Sequence, residues 1–281
     1  MRLRDRVLDL RGAAQVMGVV NVSRDSFYEH ADSVDAAVGA ARAMAADGAA
    51  VIDLGGQSYA AGNGSVAADE ERRRVVPAVR ALVDARLDVV LSVDTYTASV
   101  ADAALAAGAH LINDCSGLSD PDLAATVAEH DAGLVVMHLK GRLKVREPEA
   151  YIYRDVMAEI IAFLYEQTER AVAAGVRRDA IVVDPGLEFG KEPATDLEIL
   201  RRFGELRALG FPILLAASRK SFLGRIVGRP AKELLPASLA AAAIGITAGA
   251  RLVRAHDVAE TAQLAQMMAA VAGNSPPVRA V

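Results

Sequence analysis

Short apolar segments alternate with longer amphipathic segments along nearly the whole chain. The short segments are rich in β-branched residues and bounded by Gly, Asp or Asn, as buried parallel strands usually are. The predicted strands are Val16–Val20, Ala50–Leu54, Val89–Val93, His110–Ile112, Leu134–Met137, Ile181–Val183, Pro212–Ala216 and Leu252–Arg254. The predicted helices are Val34–Ala46, Ala68–Ala85, Ser99–Ala107, Pro121–Ala128, Tyr151–Ala174, Asp196–Leu209, Ala237–Ala248 and Val258–Ala272. Such alternation implies parallel strand–helix–strand units.

Eight strand–helix units in roughly 250 residues are typical of a (β/α)8 barrel. Glycines at predicted helix ends, such as Gly48, Gly108 and Gly175, mark where helices stop. An open doubly wound sheet is the alternative, but no GxGxxG turn follows the first strand. No linker rich in Pro, Ser or Gly divides the 281 residues. The chain is therefore predicted to be a single α/β domain spanning residues 1–281.

The composition excludes several classes of protein. The net charge is −5, and aromatic residues make up 4% of the chain without any Trp, which argues against a nucleic-acid surface. One cysteine, Cys115, permits no disulfide framework, so we expect a packed thiol in a reducing, cytoplasmic protein. The start shows no signal-peptide pattern. The longest uncharged run, Leu234–Ala250, contains Pro236 and predicts a buried helix, not a membrane span.

Polar residues follow the predicted strands, and in a barrel these ends meet at one rim, where catalytic groups lie. They include Asn21, Asp53, Asp94, Asn113, His138, Asp184, Lys220, Arg254 and His256. Asp or Asn at such positions can simply cap the next helix, but capping does not require the basic residues. The acids and amides suit a ring with an amino-amide edge, such as a purine or pterin. The basic groups of the last two strands suit phosphate.

These residues belong to motifs that resemble the signatures of dihydropteroate synthases, in family order, from about Val16 to Ala272. The motifs are Gly18–Phe27, Ala49–Ser58, Ser92–Thr95, Ile112–Asp114, Met137–His138, Asp184–Lys191, Ser218–Phe222 and Val253–Asp257. The resemblance implies a transferase of folate synthesis. It joins 6-hydroxymethyl-7,8-dihydropterin diphosphate to p-aminobenzoate and releases diphosphate, and sulfonamides mimic the acceptor.

The resemblance also implies residue roles and a homodimer paired through helices late in the chain. The pterin residues are Asp94, Asn113, Asp184 and Lys220, and Met137 is a further substrate-binding residue. The diphosphate residues are Asn21, Arg254 and His256, with Asn21 also reaching Mg²⁺. The p-aminobenzoate residues are Phe189, Ser218 and Lys220.

The predicted chemistry separates charge. Cleavage of the carbon–oxygen bond leaves positive charge on the pterin methylene and negative charge on diphosphate. Buried acids can stabilise the first charge, and basic groups with Mg²⁺ the second. The predicted catalytic residues are Asp94, Asp184, Lys220, Arg254 and His256.

The chain departs from the family pattern in its loops. Arg24 stands in place of a Pro, Tyr59 and Ala60 in place of Thr and Arg, and Glu188 in place of a Gly. A Pro is also missing after His138. Arg24 is a candidate to replace the charge missing at Ala60. Since Glu188 adds negative charge beside the acceptor subsite, we expect weaker p-aminobenzoate or sulfonamide binding.

Two other functions remain open from the sequence. The loop departures fit a pterin-binding paralogue that is non-catalytic or altered in its acceptor. A methyltetrahydrofolate:corrinoid methyltransferase would share the pterin acids but has no need of a diphosphate cluster, so Lys220, Arg254 and His256 favour the synthase.

Overall fold

The computed structural model describes residues 1–22, 33–57, 64, 66–147, 149 and 151–273. Two short strands, β1 (Arg2–Leu3) and β2 (Arg6–Val7), come first. The eight barrel strands are β3 (Gln15–Asn21), β4 (Ala49–Gly55), β5 (Val90–Asp94), β6 (Leu111–Asp114), β7 (Gly133–Met137), β8 (Ile181–Asp184), β9 (Ile213–Leu215) and β10 (Ala250–Ala255). All pair in parallel and close in the order β10-β3-β4-β5-β6-β7-β8-β9. The (β/α)8 prediction is confirmed.

Helices cover the outside of the barrel. They are α1 (Val34–Ala46), α2 (Ala68–Asp84), α3 (Ala98–Ala106), α4 (Leu123–Glu129), α5 (Val156–Ala173), α6 (Pro193–Arg201), α7 (Ser221–Val227), α8 (Leu235–Ala248) and α9 (Val258–Val271). Short 3-10 turns lie at Arg178–Ala180, Phe203–Leu209 and Ala231–Glu233.

Four predicted helices differ from the structure by two residues or more at one end, including α4, which begins at Leu123 and not at Pro121, and one helix was missed. The helix predicted at Asp196–Leu209 is two pieces, because α6 ends at Arg201 and a 3-10 turn follows. The helix α5 begins at Val156 and not at Tyr151, because Asp155 caps it by accepting from two backbone amides of its first turn. The helix α8 begins at Leu235, before the predicted start. The seven-residue α7 escaped prediction because two turns carry little periodicity.

A hairpin of β1 and β2 closes the base of the barrel. Leu3 and Leu8 are buried in the cluster that fills the barrel interior, together with Met17 and Leu111. The Arg4 guanidinium donates to two backbone carbonyls near the end of α3, at 2.7 and 2.6 Å. The hairpin was not predicted, because two-residue strands leave no hydrophobic pattern. The opposite end of the barrel is left as the rim on which a site can form.

None of the described helices is long and apolar enough to span a membrane. The uncharged run that was predicted as a buried helix forms α8, which is only half buried because it lies on the outside of the barrel. Its Ala241, Ala242 and Gly245 are buried, whereas Ile244 is exposed.

Candidate active site

Alternation along each strand decides which polar side chains enter the barrel. On β5, Leu91 and Val93 pack outward against the helices, whereas Val90 packs in the barrel interior. Successive side chains of a strand point to opposite faces, so Asp94 shares the inner face with Val90. On β4, the same alternation places the Asp53 side chain on the inner face together with Val51, which packs in the barrel interior. The strand pattern therefore directs these acids into the barrel just below its rim.

A cavity of about 530 Å³ opens at this rim. Nine of the ten predicted site residues line it, namely Asn21, Asp94, Asn113, Met137, Asp184, Phe189, Lys220, Arg254 and His256. The tenth, Ser218, lies behind His256, and its Oγ is 3.1 Å from His256 Nδ1. Cys115 is buried in the cavity wall. The structure thus brings together side chains from strands far apart in the sequence.

One wall of the cavity is a buried cluster of carboxylates around Arg254. Its Nε donates to Asp53 Oδ2 at 2.7 Å, and its Nη2 donates to Asp94 Oδ2 at 3.0 Å. Asp53 also accepts from Ser92 Oγ at 2.6 Å and from Asn113 Nδ2 at 3.0 Å. Arg254 was predicted to hold diphosphate, and here it connects that end of the site with the predicted pterin acids. We call Asp53, Asp94, Asn113, Asp184 and Arg254 the acidic floor.

Burial sets the charge state of this floor. It raises the pKa of Asp94 to about 8, and the charge of Asp53 adds to the rise although Arg254 opposes it. Burial also raises the pKa of Asp184, against the attraction of Lys220 and a hydrogen bond from the Gly186 amide at 2.7 Å. A carboxyl group of this kind can accept hydrogen bonds when ionised and donate one when protonated. The floor can therefore match a ring edge that carries both donors and acceptors.

At the predicted diphosphate end, His256 is neutral at pH 7. Burial and the positive charge of Arg254 lower its pKa to about 4. Its backbone amide donates to Ser218 Oγ at 3.2 Å. Lys220, from the same motif as Ser218, supplies an ammonium group at the cavity.

The predicted acceptor side is built from the loop after β8. Lys220 Nζ donates to Leu187 O at 2.6 Å and lies 4.9 Å from the centre of the Phe189 ring. Glu188 has a φ of 70°, in the left-handed region that favours Gly, which is the residue the family pattern has there. Its Oε1 accepts from the Phe222 amide at 2.9 Å, at the start of α7. A carboxylate thus already lies beside the predicted acceptor subsite.

The loop after β7 crosses toward the loop after β4. Lys144 Nζ donates to Gln57 Oε1 at 2.5 Å, and Gln57 Nε2 donates to Glu71 Oε2 at 2.7 Å. Glu71 is buried, which raises its pKa. Lys144, Arg142 and Gln57 all line the cavity, so this contact forms part of its outer wall.

The predicted Mg²⁺ ligand Asn21 lies at the end of β3 with its side chain at the cavity. Its Oδ1 would lie 3.3 Å from a Cβ placed on Gly55, so that glycine leaves room around the oxygen. Within the described ranges, no group of three His, Cys, Asp or Glu side chains is arranged to hold a metal. One amide oxygen fits an ion held mainly by substrate phosphates and water, as Mg²⁺ commonly is.

Part of the predicted rim lies outside the described residues: Arg24, Tyr59 and Ala60. The suggested compensation of Ala60 by Arg24 stays a prediction.

Sequence reasoning left out several buried polar residues. Asp53, which is fully buried, was among the polar residues of the predicted rim but was given no role in the site. Lys191 and Asp196 also line the cavity, and both are buried. Lys191 is the last residue of the motif Asp184–Lys191. Asp196 showed no sequence feature that indicated a functional role, apart from its place in the first turn of a helix.

A family model described as pterin binding enzyme matches residues 17–256, which defines the class of the barrel and its acidic floor. The chain is 40% identical over 259 residues to the dihydropteroate synthase of Bacillus subtilis, covering 91% of this chain and 88% of that one. It is 41% identical over 272 residues to a Mycobacterium leprae protein named inactive dihydropteroate synthase 2, covering 95% and 93%.

A Yersinia pestis dihydropteroate synthase solved with a sulfonamide drug superposes with a TM-score of 0.93. That pair shares 37% identity over 97% of this chain and 99% of the other. The chain belongs to the dihydropteroate synthase family, as its motifs predicted.

Proposed function

We propose that the protein condenses 6-hydroxymethyl-7,8-dihydropterin diphosphate with p-aminobenzoate to give 7,8-dihydropteroate and diphosphate. The acidic floor is the observation that carries this proposal. It places Asp94, Asn113 and Asp184 in one cavity that also contains an aromatic ring and a lysine. Kinship with dihydropteroate synthases supports the same reaction.

The floor binds and orients the pterin ring. Carboxyl groups at Asp94 and Asp184 face the amino-amide edge, and Asn113 is fixed by its hydrogen bond to Asp53. As the carbon–oxygen bond breaks, the pterin gains positive charge, which nearby carboxylates stabilise more strongly in a buried site than in water. Arg254 holds two of the acids in place before substrate arrives.

Diphosphate leaves toward the end of the cavity that contains Asn21, Arg254 and His256. The positive charge of Arg254 stabilises the leaving group, and His256 donates a hydrogen bond to it. Mg²⁺ bound with the diphosphate would supply further neutralisation, with Asn21 as its protein ligand.

The acceptor ring lies against Phe189 near Lys220. Its neutral aryl amine attacks the methylene carbon, a carbon–nitrogen bond forms, and the amine proton passes to solvent. Holding both reactants in one cavity lowers the entropic part of the barrier. No covalent bond to the protein is required.

A second candidate is a pterin-binding paralogue with an altered or lost acceptor step. The carboxylate of Glu188 at the start of α7 favours it, because p-aminobenzoate is itself an anion. This candidate keeps the acidic floor and differs only on the acceptor side.

One assay separates these functions. Purified protein is incubated with the dihydropterin diphosphate, Mg²⁺ and p-aminobenzoate, and both diphosphate and dihydropteroate are measured, with Asp184→Asn as the control. Equal amounts of both products support the synthase. Diphosphate alone supports the altered acceptor, and neither product at saturating substrates refutes synthase activity. Methyl transfer from methyltetrahydrofolate to a corrinoid, tested in parallel, would identify the methyltransferase.

Asn21 gives a test of the Mg²⁺ proposal. We expect Asn21→Ala to raise the Mg²⁺ concentration for half-maximal activity by about tenfold, since one of few protein ligands is lost. An unchanged Mg²⁺ requirement would remove Asn21 from the proposed site.

We also infer a homodimer that forms through α7, α8 and α9. These helices expose large apolar side chains at Ile226, Val227, Ile244, Met267 and Val271. Clusters of this kind are common at subunit interfaces. Sedimentation of the wild-type chain and of Ile244→Glu tests it, and a wild-type monomer would contradict it.

A further inference from the structure

The segment Gly186–Gly190, here called the β8 loop, packs directly against the backbone of residues 138–140, which follow β7. A Cβ on Gly186 would lie 2.0 Å from His138 O, and one on Gly190 would lie 2.0 Å from Lys140 O. Both glycines have positive φ, at 65° and 67°. The two backbones therefore touch directly, and the shape of the loop depends on what holds it there.

Lys191 follows the loop and folds back beneath it. Its buried Nζ donates to Gly186 O at 2.7 Å and to Phe189 O at 2.8 Å, and lies 2.9 Å from His138 Nδ1. An ammonium group has three protons, and these three partners match them. Burial holds the pKa of His138 well below its usual range, so this imidazole is neutral and Nδ1 can accept.

The loop held by Lys191 forms the acceptor side of the cavity. Leu187 O accepts from Lys220 Nζ at 2.6 Å, and the Phe189 ring lies 4.9 Å from the same nitrogen. A second side chain, Tyr153, donates to Gly190 O at 2.8 Å from the opposite side. Movement of the loop would displace the Phe189 ring and the carbonyl that holds the Lys220 ammonium group.

We propose that Lys191 is a positioning residue, which fixes the β8 loop so that Phe189 and Lys220 together form the acceptor subsite. The proposal rests on the proposed function for its kinetic consequence. Its structural part, the tie between Lys191 and the loop, stands without it.

The charges around Lys191 make this tie sensitive to pH. Burial lowers the pKa of Lys191 to about 7, with repulsion from Lys220 and Lys140, while Asp196 and Asp184 oppose the shift. Burial raises the pKa of Asp196 to about 6. Above neutral pH, Lys191 loses a proton and one of its donated hydrogen bonds, so the loop is held less firmly. The KM for the acceptor should then rise more steeply than the KM for the pterin substrate.

The test compares Lys191→Met with wild type and with Lys232→Met. Lys232 is the control, since it is an exposed lysine in the 3-10 turn Ala231–Glu233 between α7 and α8. Two quantities are measured: KM for each substrate, and amide hydrogen exchange of peptides covering residues 186–190. Lys191→Gln, which keeps a donor without the charge, is a milder variant should the Met variant not fold.

We expect Lys191→Met to raise the acceptor KM about tenfold, because hydrogen bonds from a charged group are lost. The KM for the pterin substrate should change by less than about threefold. Exchange in the loop should accelerate, whereas Lys232→Met should change neither quantity. The increase in acceptor KM from pH 7 to about 9 should also be smaller in Lys191→Met than in wild type.

Unchanged exchange in both Lys191 variants, or equal increases in the two KM values, would overturn the proposal. So would a Lys232→Met variant with the same effects. If the wild type makes no dihydropteroate, the proposed function fails separately. Loop exchange and calorimetric titration of p-aminobenzoate into pterin-saturated protein then decide the role of Lys191.

Discussion

The acidic floor and the acceptor side of the same cavity are built in different ways. The side chains of the floor project from strands, whose neighbours and register are fixed by the closed barrel. The acceptor side depends on the loop after β8, in which Glu188, a residue other than Gly, has a positive φ. On the floor, Arg254 pairs with both Asp53 and Asp94. A site can therefore keep its pterin end intact while its acceptor end varies.

The largest effect expected from this contrast is on the floor. Arg254→Met leaves Asp53 and Asp94 buried without their cation, which should cost about 3–5 kcal/mol of unfolding free energy and abolish turnover. Denaturant unfolding and the two-product assay measure these effects.

Arg219→Met is the matched control for that variant. The side chain is 22% exposed in Arg219 and 21% exposed in Arg254, but Arg219 pairs with Asp257 outside the floor. If Arg219→Met lost as much unfolding free energy as Arg254→Met, the ion pairs of the floor would contribute no more to stability than an ion pair elsewhere on the rim.

On the acceptor side, removal of a charged side chain should strengthen ligand binding, in contrast to the losses expected on the floor. Glu188→Gly removes a carboxylate next to the acceptor and a side chain from a left-handed position, and it also removes a hydrogen bond to Phe222 N. We expect p-aminobenzoate and sulfonamides to bind about three- to tenfold more tightly, because a like charge is removed.

Stability should change by less than about 1 kcal/mol, since relief of backbone strain offsets the lost hydrogen bond. Calorimetric titration tests the affinity, with Glu192→Gln, at the outer edge of the cavity, as the control. Unchanged or weaker binding by Glu188→Gly would contradict a specificity role for Glu188.

The smallest expected effect concerns His256. Its pKa of about 4 is below the usual value, so the free imidazole is neutral at pH 7. Bound diphosphate favours the protonated form and raises this pKa, so protonation and binding assist each other as pH falls. When the pH is lowered from 7 to about 5, the affinity of the wild type for inorganic diphosphate should increase about threefold more than that of His256→Gln. Parallel pH profiles for the two proteins would rule out proton uptake at His256.

The sequence allowed the barrel and most of the floor to be predicted for one reason. Strand alternation and strand-end polarity are local signals, and the barrel brings them to one rim, as Asp94, Asn113 and Asp184 show. Pairing between strands is not local, so the contact of Arg254 with Asp53 could not be derived. Lys191 was missed for a related reason, because its partners are backbone carbonyls created by the shape of a loop.

The hairpin of β1 and β2 has a consequence for how the chain folds during synthesis. Arg4 N donates to Asp131 O, and Arg177 Nη2 donates to Arg2 O, so the hairpin depends on residues made much later. Leu3 and Leu8 thus have no completed barrel interior to enter until β6, β7 and β8 have formed. Contacts of such long sequence separation form slowly. The hairpin is synthesised before the strands that it packs against and is among the last segments to reach its native position. Until then its apolar side chains are exposed to chaperones and to neighbouring chains.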